Sequence, residues 1–352
     1  MATATAAADP SSDSLKAAIF QRLHPRVYLE RFLTENVRPD GRAIGCVMDG
    51  MGVKGEIWRD VSINVGSINT ADGSALVRMG GSTIVCGVKA EIAEPDLENP
   101  DEGFLVPNVD LPAMCHPKFK PGPPSDEAQV LSERLFETLT SSNFMSPKSL
   151  VVHPGKFVWT LYVDATCINY DGNVFDATLI AMVSALLNTR LPKAVYNEDT
   201  GQTMCYREST SPLALFGLPL PTSFGIFDSY VIITPLLFLK TRFLLVQIYF
   251  LSYPNLRLNP IYRSQVLADP TAFEEPLLDG TISIVFGGAD QNNSTPSDDD
   301  GQLLSVTQQG LGIVNDLNSG SGLGDKGVLE ACIKAGKKRR VELAKIVREA
   351  IV

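Results

Sequence analysis

KFVWTLYVDATCINYDGNVFDATLIAMVSALLN, Lys156 to Asn188, decides the fold. Phe157 to Tyr170 is rich in β-branched and aromatic residues, as strands are. Asp171-Gly172-Asn173 is a tight turn. The spacing predicts a type I′ hairpin turn there, with Asp176 capping the next helix. From Asp176 to Asn188 the apolar residues Leu179, Met182, Val183, Leu186 and Leu187 predict a helix apolar enough to be buried against a sheet.

Working outward, Val61, Ile63 and Val65 alternate with Ser62 and Asn64, the pattern of a half-buried strand. Ala71-Asp72-Gly73-Ser74 turns the chain into Ala75–Met79, and Gly80-Gly81 separates that strand from Thr83–Val88. Three strands on short turns make a meander. Gly80-Gly81-Ser82 is too short for a phosphate-binding loop. Glu91 to Pro124 is acidic and proline-rich, with one strand expected near Phe104–Leu111. Ser125–Ser142 reads as a helix, with Val130, Leu131, Leu135 and Leu139 at helical spacing and Arg134 as the polar member of that face. A short strand is expected at Val151-Val152.

The first 13 residues are small and polar and predict disorder. Ser14 to Val37 carries helical spacing broken at Pro25. Arg38-Pro39-Asp40-Gly41-Arg42 has the composition of a surface turn. After Ala194 the strand pattern weakens until Thr281–Phe286. A polar loop follows to Gly301, then an edge strand at Gln302–Thr307, and a closing helix from Lys326 to Val352. Together these predict an α+β fold of mixed sheets with packed helices.

The 352 residues carry a net charge of −10, which denies the chain a broad electrostatic footprint for phosphates. Cys46, Cys86, Cys115, Cys167, Cys205 and Cys332 are dispersed without a CxxC pair, against a zinc site and against a disulfide framework. A reducing compartment fits them. The N-terminus has no secretory pattern. His24, His116 and His153 are isolated and build no catalytic triad. Lys337-Lys338-Arg339-Arg340 in the last helix has two readings, a solvated face or an RNA or partner contact.

One segment departs from this order. Residues 232–265 are very apolar, but Lys240 and Arg242 interrupt the run, and Phe243–Leu256 is too short to cross a bilayer. A membrane helix, a pair of core strands and an insertion within a hairpin are the three readings. Translation of an unspliced intron would give such a segment, and transcript sequencing across it decides that point.

RPDGR at Arg38–Arg42, the Gly66–Ile92 run, Pro154–Asn188, and ADPT at Ala268–Thr271 with Glu274-Glu275 together resemble the RNase PH family, in particular the ring subunits of the eukaryotic RNA exosome. The resemblance implies an RNase PH-like fold of two fused βαβ-type repeats, ribosomal protein S5 domain 2-like. It places a domain over 14–352, with a first part at 38–190, a second at 191–325 and the closing helix at 326–352. It also implies a hexameric ring of paralogous subunits, S1/KH-type cap subunits, RNA in the central channel, no cofactor and no membrane. Residence in nucleus, nucleolus and cytoplasm goes with it.

Phosphorolysis needs fixed cations and donors around phosphate, because one anion must approach another. By the resemblance, catalytic members carry an Arg-Ser pair where Thr138 and Leu139 stand here, next to Glu137. Asp164 and Asp171 match acidic positions of the family, whereas Thr166 replaces a further Asp and Val174-Phe175 replace Thr-Arg. The expectation is a non-catalytic structural subunit supporting 3′-to-5′ RNA processing and decay, with catalysis in most eukaryotic relatives left to an associated hydrolytic nuclease. The alternative is an active phosphorolytic exoribonuclease, for which Asp164 and Asp171 speak.

Overall fold

The computed structural model describes residues 10–44, 57–197, 202–231, 261–287, 301–310 and 325–351. Strands β1 (Val61–Val65), β2 (Gly73–Met79) and β3 (Ser82–Ala93) form the expected antiparallel meander. β3 pairs along most of its length with β6 (Phe157–Asn169), and β4 (Phe104–Asp110) lies parallel to β6 on its other side. Helix α3 (Asp126–Ser141) makes the crossover from β4, and the short β5 (Val151–His153) pairs back onto β6. Ser125 caps α3, its Oγ accepting from Ala128 N at 3.3 Å.

Helix α4 (Val174–Asn188) is the centre of the molecule. Every residue from Val174 to Leu186 is buried, which no amphipathic helix on a surface would tolerate. It packs on β2 and β3 on one side and on β9 (Leu220–Val231) on the other. β9 belongs to a second, antiparallel sheet ordered β10-β9-β11-β12, with β10 at Ile261–Ala268, β11 at Gly280–Gly287 and β12 at Gln302–Gly310. β12 is an edge strand, as its polar composition predicts. β7 (Arg190–Asn197) and β8 (Gln202–Pro212) form a separate two-stranded ribbon. Helix α5 (Asp325–Ile351) lies on β1, β9 and β11. At the N-terminus, α1 (Pro10–Leu23) and α2 (Pro25–Thr34) bend at His24-Pro25, and Leu29 and Leu33 of α2 bury against Phe227 and Leu267.

Three expectations need correction. Pro10–Asp13, expected to be disordered, are the first turn of α1. The apolar segment expected over 232–265 lies outside the described residues up to 260, but Ile261–Gln265 belong to β10. They pair with Val231–Phe227 in a continuous antiparallel ladder, so strand pairing begins before the apolar composition ends. Asp176 is not a helix cap. The N-cap is Asn173, in a left-handed conformation with φ 51°, because the chain leaves β6 through Gly172-Asn173 straight into α4 and makes no hairpin. No described helix is long and apolar enough to cross a membrane.

Candidate site at the seam of the two sheets

The turn expected at Arg38–Arg42 is there, with Asp40 and Gly41 exposed, but its first residue is not on the surface. Arg38 is fully buried. Its Nε donates to Glu274 Oε1 at 2.9 Å, its Nη1 to Ala268 O at 2.6 Å and its Nη2 to Asp269 O at 3.1 Å, and Nη2 also reaches Glu274 Oε2. Burying a guanidinium without partners would cost several kcal/mol. Here the turn between β10 and β11 supplies a carboxylate and two carbonyls.

Arg59, just before β1, is the second buried cation. Nε and Nη2 grip Asp269 at 2.7 and 2.6 Å, Nη1 donates to Asp171 O at 2.6 Å, and Nη2 also reaches Gly172 O at 3.2 Å. The Asp171 carboxylate lies 3.5 Å from Arg59 Nη1 and is partly exposed. Burial alone would raise the Asp269 carboxyl, but Arg59, Asn173 and Arg42 hold it below the ordinary range. Burial would likewise weaken the charge on Arg59, and the Asp269 contacts more than reverse that.

Asp176 sits one turn into α4, fully enclosed. It accepts from Asn173 Nδ2 at 2.9 Å, Ser223 N at 2.9 Å and Ser223 Oγ at 2.7 Å. Burial, with the nearby Asp269 charge, outweighs these donors and pushes its pKa up to about 6. Ser82, in the Gly-Gly-Ser turn, accepts from Asp171 N and donates to Gly172 O at 2.8 Å. That turn therefore buttresses the 171–173 bend.

A cleft of about 430 Å³ opens beside this network, with α3, the start of α4 and β11 among its walls. Asp126, Glu127 and Glu275 line it together with Arg134, and Lys118, outside the lining, pairs with Glu127 at 2.6 Å. Arg134 stacks 4.4 Å over the Phe175 ring, and burial lowers its pKa. Tyr170 Oη donates to Glu275 Oε2 at 2.6 Å, and burial raises both groups. Such a rim opposes an anion more than it attracts one.

The residues singled out in the sequence do not converge. Thr138 is buried in α3 and spends its hydroxyl on Arg134 O at 2.7 Å, and Leu139 is in the core. Asp164 points to the exposed face of β6, where Asn108 Nδ2 reaches it at 3.3 Å. Asp171 lies beyond the strand end against Arg59. None of the four lines the cleft. Among the described residues no three His, Cys, Asp or Glu side chains gather as a metal site.

The basic run in α5 is not one solvated face. Lys338 is exposed, but Arg339 turns inward, donating from Nη2 to Arg59 O at 2.7 Å and lying 5.5 Å over the Trp58 ring. Arg340 packs against Gly301, and Lys337 is half-buried. Arg59, Asn173 and Asp269 escaped the sequence reading. Arg59 and Asp269 showed only a charged residue beside apolar runs and Asn173 only a turn residue, since the bonds that join the three span 96 and 210 residues.

Residues 58–192 match the model of the 3′ exoribonuclease family, domain 1 (RNase PH). The exosome complex component rrp43 of Schizosaccharomyces pombe is 40% identical over 222 residues, 63% of this chain and 78% of that protein. The exosome complex component Rrp42 of Thermococcus gammatolerans is 36% identical over 203 residues, 58% of this chain and 70% of that one. Among solved structures, a chain of the Archaeoglobus fulgidus exosome with RNA bound to the active site superposes with a TM-score of 0.59 at 24% identity, covering 90% of this chain and 96% of that one. A chain of an archaeal exosome core gives 0.56 at 22% identity, covering 95% and 99%. These two likenesses concern the fold alone. On the matched domain and on its coverage of the fission-yeast relative, this chain belongs to the 3′ exoribonuclease, RNase PH, family.

Proposed function

We propose that this chain is a non-catalytic, structural subunit of an exosome-type ring. It would pack between paralogous RNase PH-type subunits beneath S1/KH-type caps and form part of the wall of an RNA channel. The relatives named as exosome components support the assembly role. One observation carries the lack of catalysis: the guanidinium beside Asp171 is consumed internally, four donor contacts of Arg59 going to Asp269, Asp171 O and Gly172 O. An inorganic phosphate arriving there would find a cation already neutralised and shielded from water. At the positions where the resemblance places the phosphate-holding pair, Thr138 and Leu139 are turned into the helix and the core.

The test is incubation of the purified protein with RNA and inorganic phosphate. No nucleoside diphosphates are expected, and their release in proportion to added protein overturns the non-catalytic assignment. Affinity purification from cells checks the assembly half: paralogous RNase PH-type chains are expected to co-purify in fixed ratio, and recovery of a solitary monomer counts against it. A fluorescent fusion is expected in nucleus, nucleolus and cytoplasm.

A further inference from the structure

The β7–β8 ribbon is a basic, aromatic element on an acidic chain. Its described residues carry Arg190, Lys193 and Arg207 against the single carboxylate Glu208, whereas the whole chain has a net charge of −10. All three cations are exposed, and among the described residues none of their side chains makes a hydrogen bond or an ion pair. The ladder sets the two faces of the ribbon. Lys193 lies directly opposite Tyr206, and Val195 opposite Met204. These four side chains therefore share one face, with opposed Cβ atoms about 5 Å apart. The other face is anchored. The Tyr196 ring lies 4.9 Å from that of His153 and 5.4 Å from that of Phe157, and its Oη accepts from Lys156 Nζ at 3.1 Å. The first face is left bare, with Tyr206 49%, Met204 55% and Val195 44% exposed. The register breaks between Pro192 and Lys193, so Arg207, Glu208 and Ser209 bulge out beside Tyr206.

We propose that this bare face binds single-stranded RNA, a base stacking on Tyr206 and the adjoining phosphates lying on Lys193 and Arg207. Proteins that hold single strands combine exposed aromatic rings with cations along the path of the backbone. Here the two cations flank the ring, one across the ladder and one along the strand. Neither is already paired, so meeting a phosphate breaks no internal bond. Val195 and Met204 extend the apolar floor beside the ring. Three large apolar side chains fall well short of the roughly 800 Å² per partner that a stable protein interface buries. A protein partner matched to them would also gain nothing from the free cations. Duplex RNA offers Tyr206 no open base, because its bases are already stacked and paired. The footprint is small and local, as it must be on a chain whose overall charge repels phosphates. The choice of RNA rests on the exosome-type reading, but the surface needs neither an assembled ring nor a catalytic centre.

The test is fluorescence anisotropy of a labelled oligouridine, about 12 nucleotides long, titrated with the full-length protein at low salt. Micromolar binding is expected, and weaker binding of a duplex of the same length. Tyr206→Ala is expected to weaken binding about tenfold, and Tyr206→Phe, which keeps the ring, to leave it unchanged. Lys193→Ala and Arg207→Ala each weaken it and each lower the slope of log affinity against log salt by about 0.7. Arg348→Glu, at an exposed position of α5, leaves binding unchanged. Thermal melts check that each variant is folded. No binding at about 100 µM protein overturns the proposal. So does an affinity that Tyr206→Ala and Lys193→Ala leave unaltered, or one that Arg348→Glu lowers as much as they do. If Tyr206→Ala fails to fold, the two salt slopes decide. Co-purification of paralogous chains without RNA binding by this face would remove the proposal and leave the assembly role standing.

Discussion

Asn173 and Asp269, 96 residues apart, are joined by a 2.8 Å hydrogen bond from Nδ2 to Oδ1. The same amide nitrogen donates to Asp176 Oδ2 at 2.9 Å. One nitrogen therefore keeps two buried carboxylates apart and tied together, and it does so from the residue that starts α4. Strand end, helix start and the second sheet meet at this point.

Asp176 makes stability depend on pH. Its folded pKa, about 6, lies above the ordinary 3.8, so the folded state binds a proton that the unfolded chain has released. The contribution is fully present below about pH 4 and is lost as pH rises through 6, roughly 3 kcal/mol in all. Asp176→Asn keeps the acceptor for Asn173 and Ser223 and removes the charge. Urea unfolding from pH 4 to 7 is expected to show a flatter stability profile for the variant. An identical slope in both proteins would place the dependence elsewhere.

Breaking the Arg38–Glu274 pair leaves a guanidinium buried against half of its partners. Glu274→Gln is expected to destabilise by about 3–5 kcal/mol. Chemical denaturation at neutral pH measures it, and a loss below about 1 kcal/mol would mean that water reaches Arg38.

Gly172 has φ +79°, and a Cβ there would meet Ala272 N and Thr271 C at 2.5 Å. The neighbours are backbone and have nowhere to move. Gly172→Ala is expected to cost about 2–5 kcal/mol from left-handed strain plus overpacking. Gly155→Ala, at a similar φ of +73° but in open space, isolates the strain part.

Within the basic run of α5 the effects should split by residue. Lys338→Glu is expected to change the melting free energy by no more than about 0.5 kcal/mol. Arg339→Ala removes the bond to Arg59 O and the stack on Trp58 and is expected to cost about 1–3 kcal/mol. Equal effects would return the run to a single solvated face.

The sequence is most legible where periodicity is strong. The β1–β3 meander, α3, β6 and α4 lie where their apolar spacing puts them, because each buries a face that repeats every two or every 3.6 residues. What makes the site has no such period. Arg38 looks like turn chemistry because Pro39 and Asp40-Gly41 are turn residues, yet its partner is 236 residues away. Asp176 fits a cap by its position near a helix start, but the left-handed Asn173 begins the helix earlier and sends Asp176 to Ser223. Thr138 and Leu139 were singled out by the resemblance alone, whereas the use of Arg59 against Asp171 required coordinates.

The long reach of Arg38 and Arg59 has a consequence for synthesis on the ribosome. The amino-terminal sheet is complete in sequence by Asn169, but Arg38 and Arg59 gain their buried carboxylate partners only when Glu274 and Asp269 have emerged from the exit tunnel. During that interval the nascent chain holds an assembled sheet with an open, charged flank, the kind of waiting intermediate that chaperones bind.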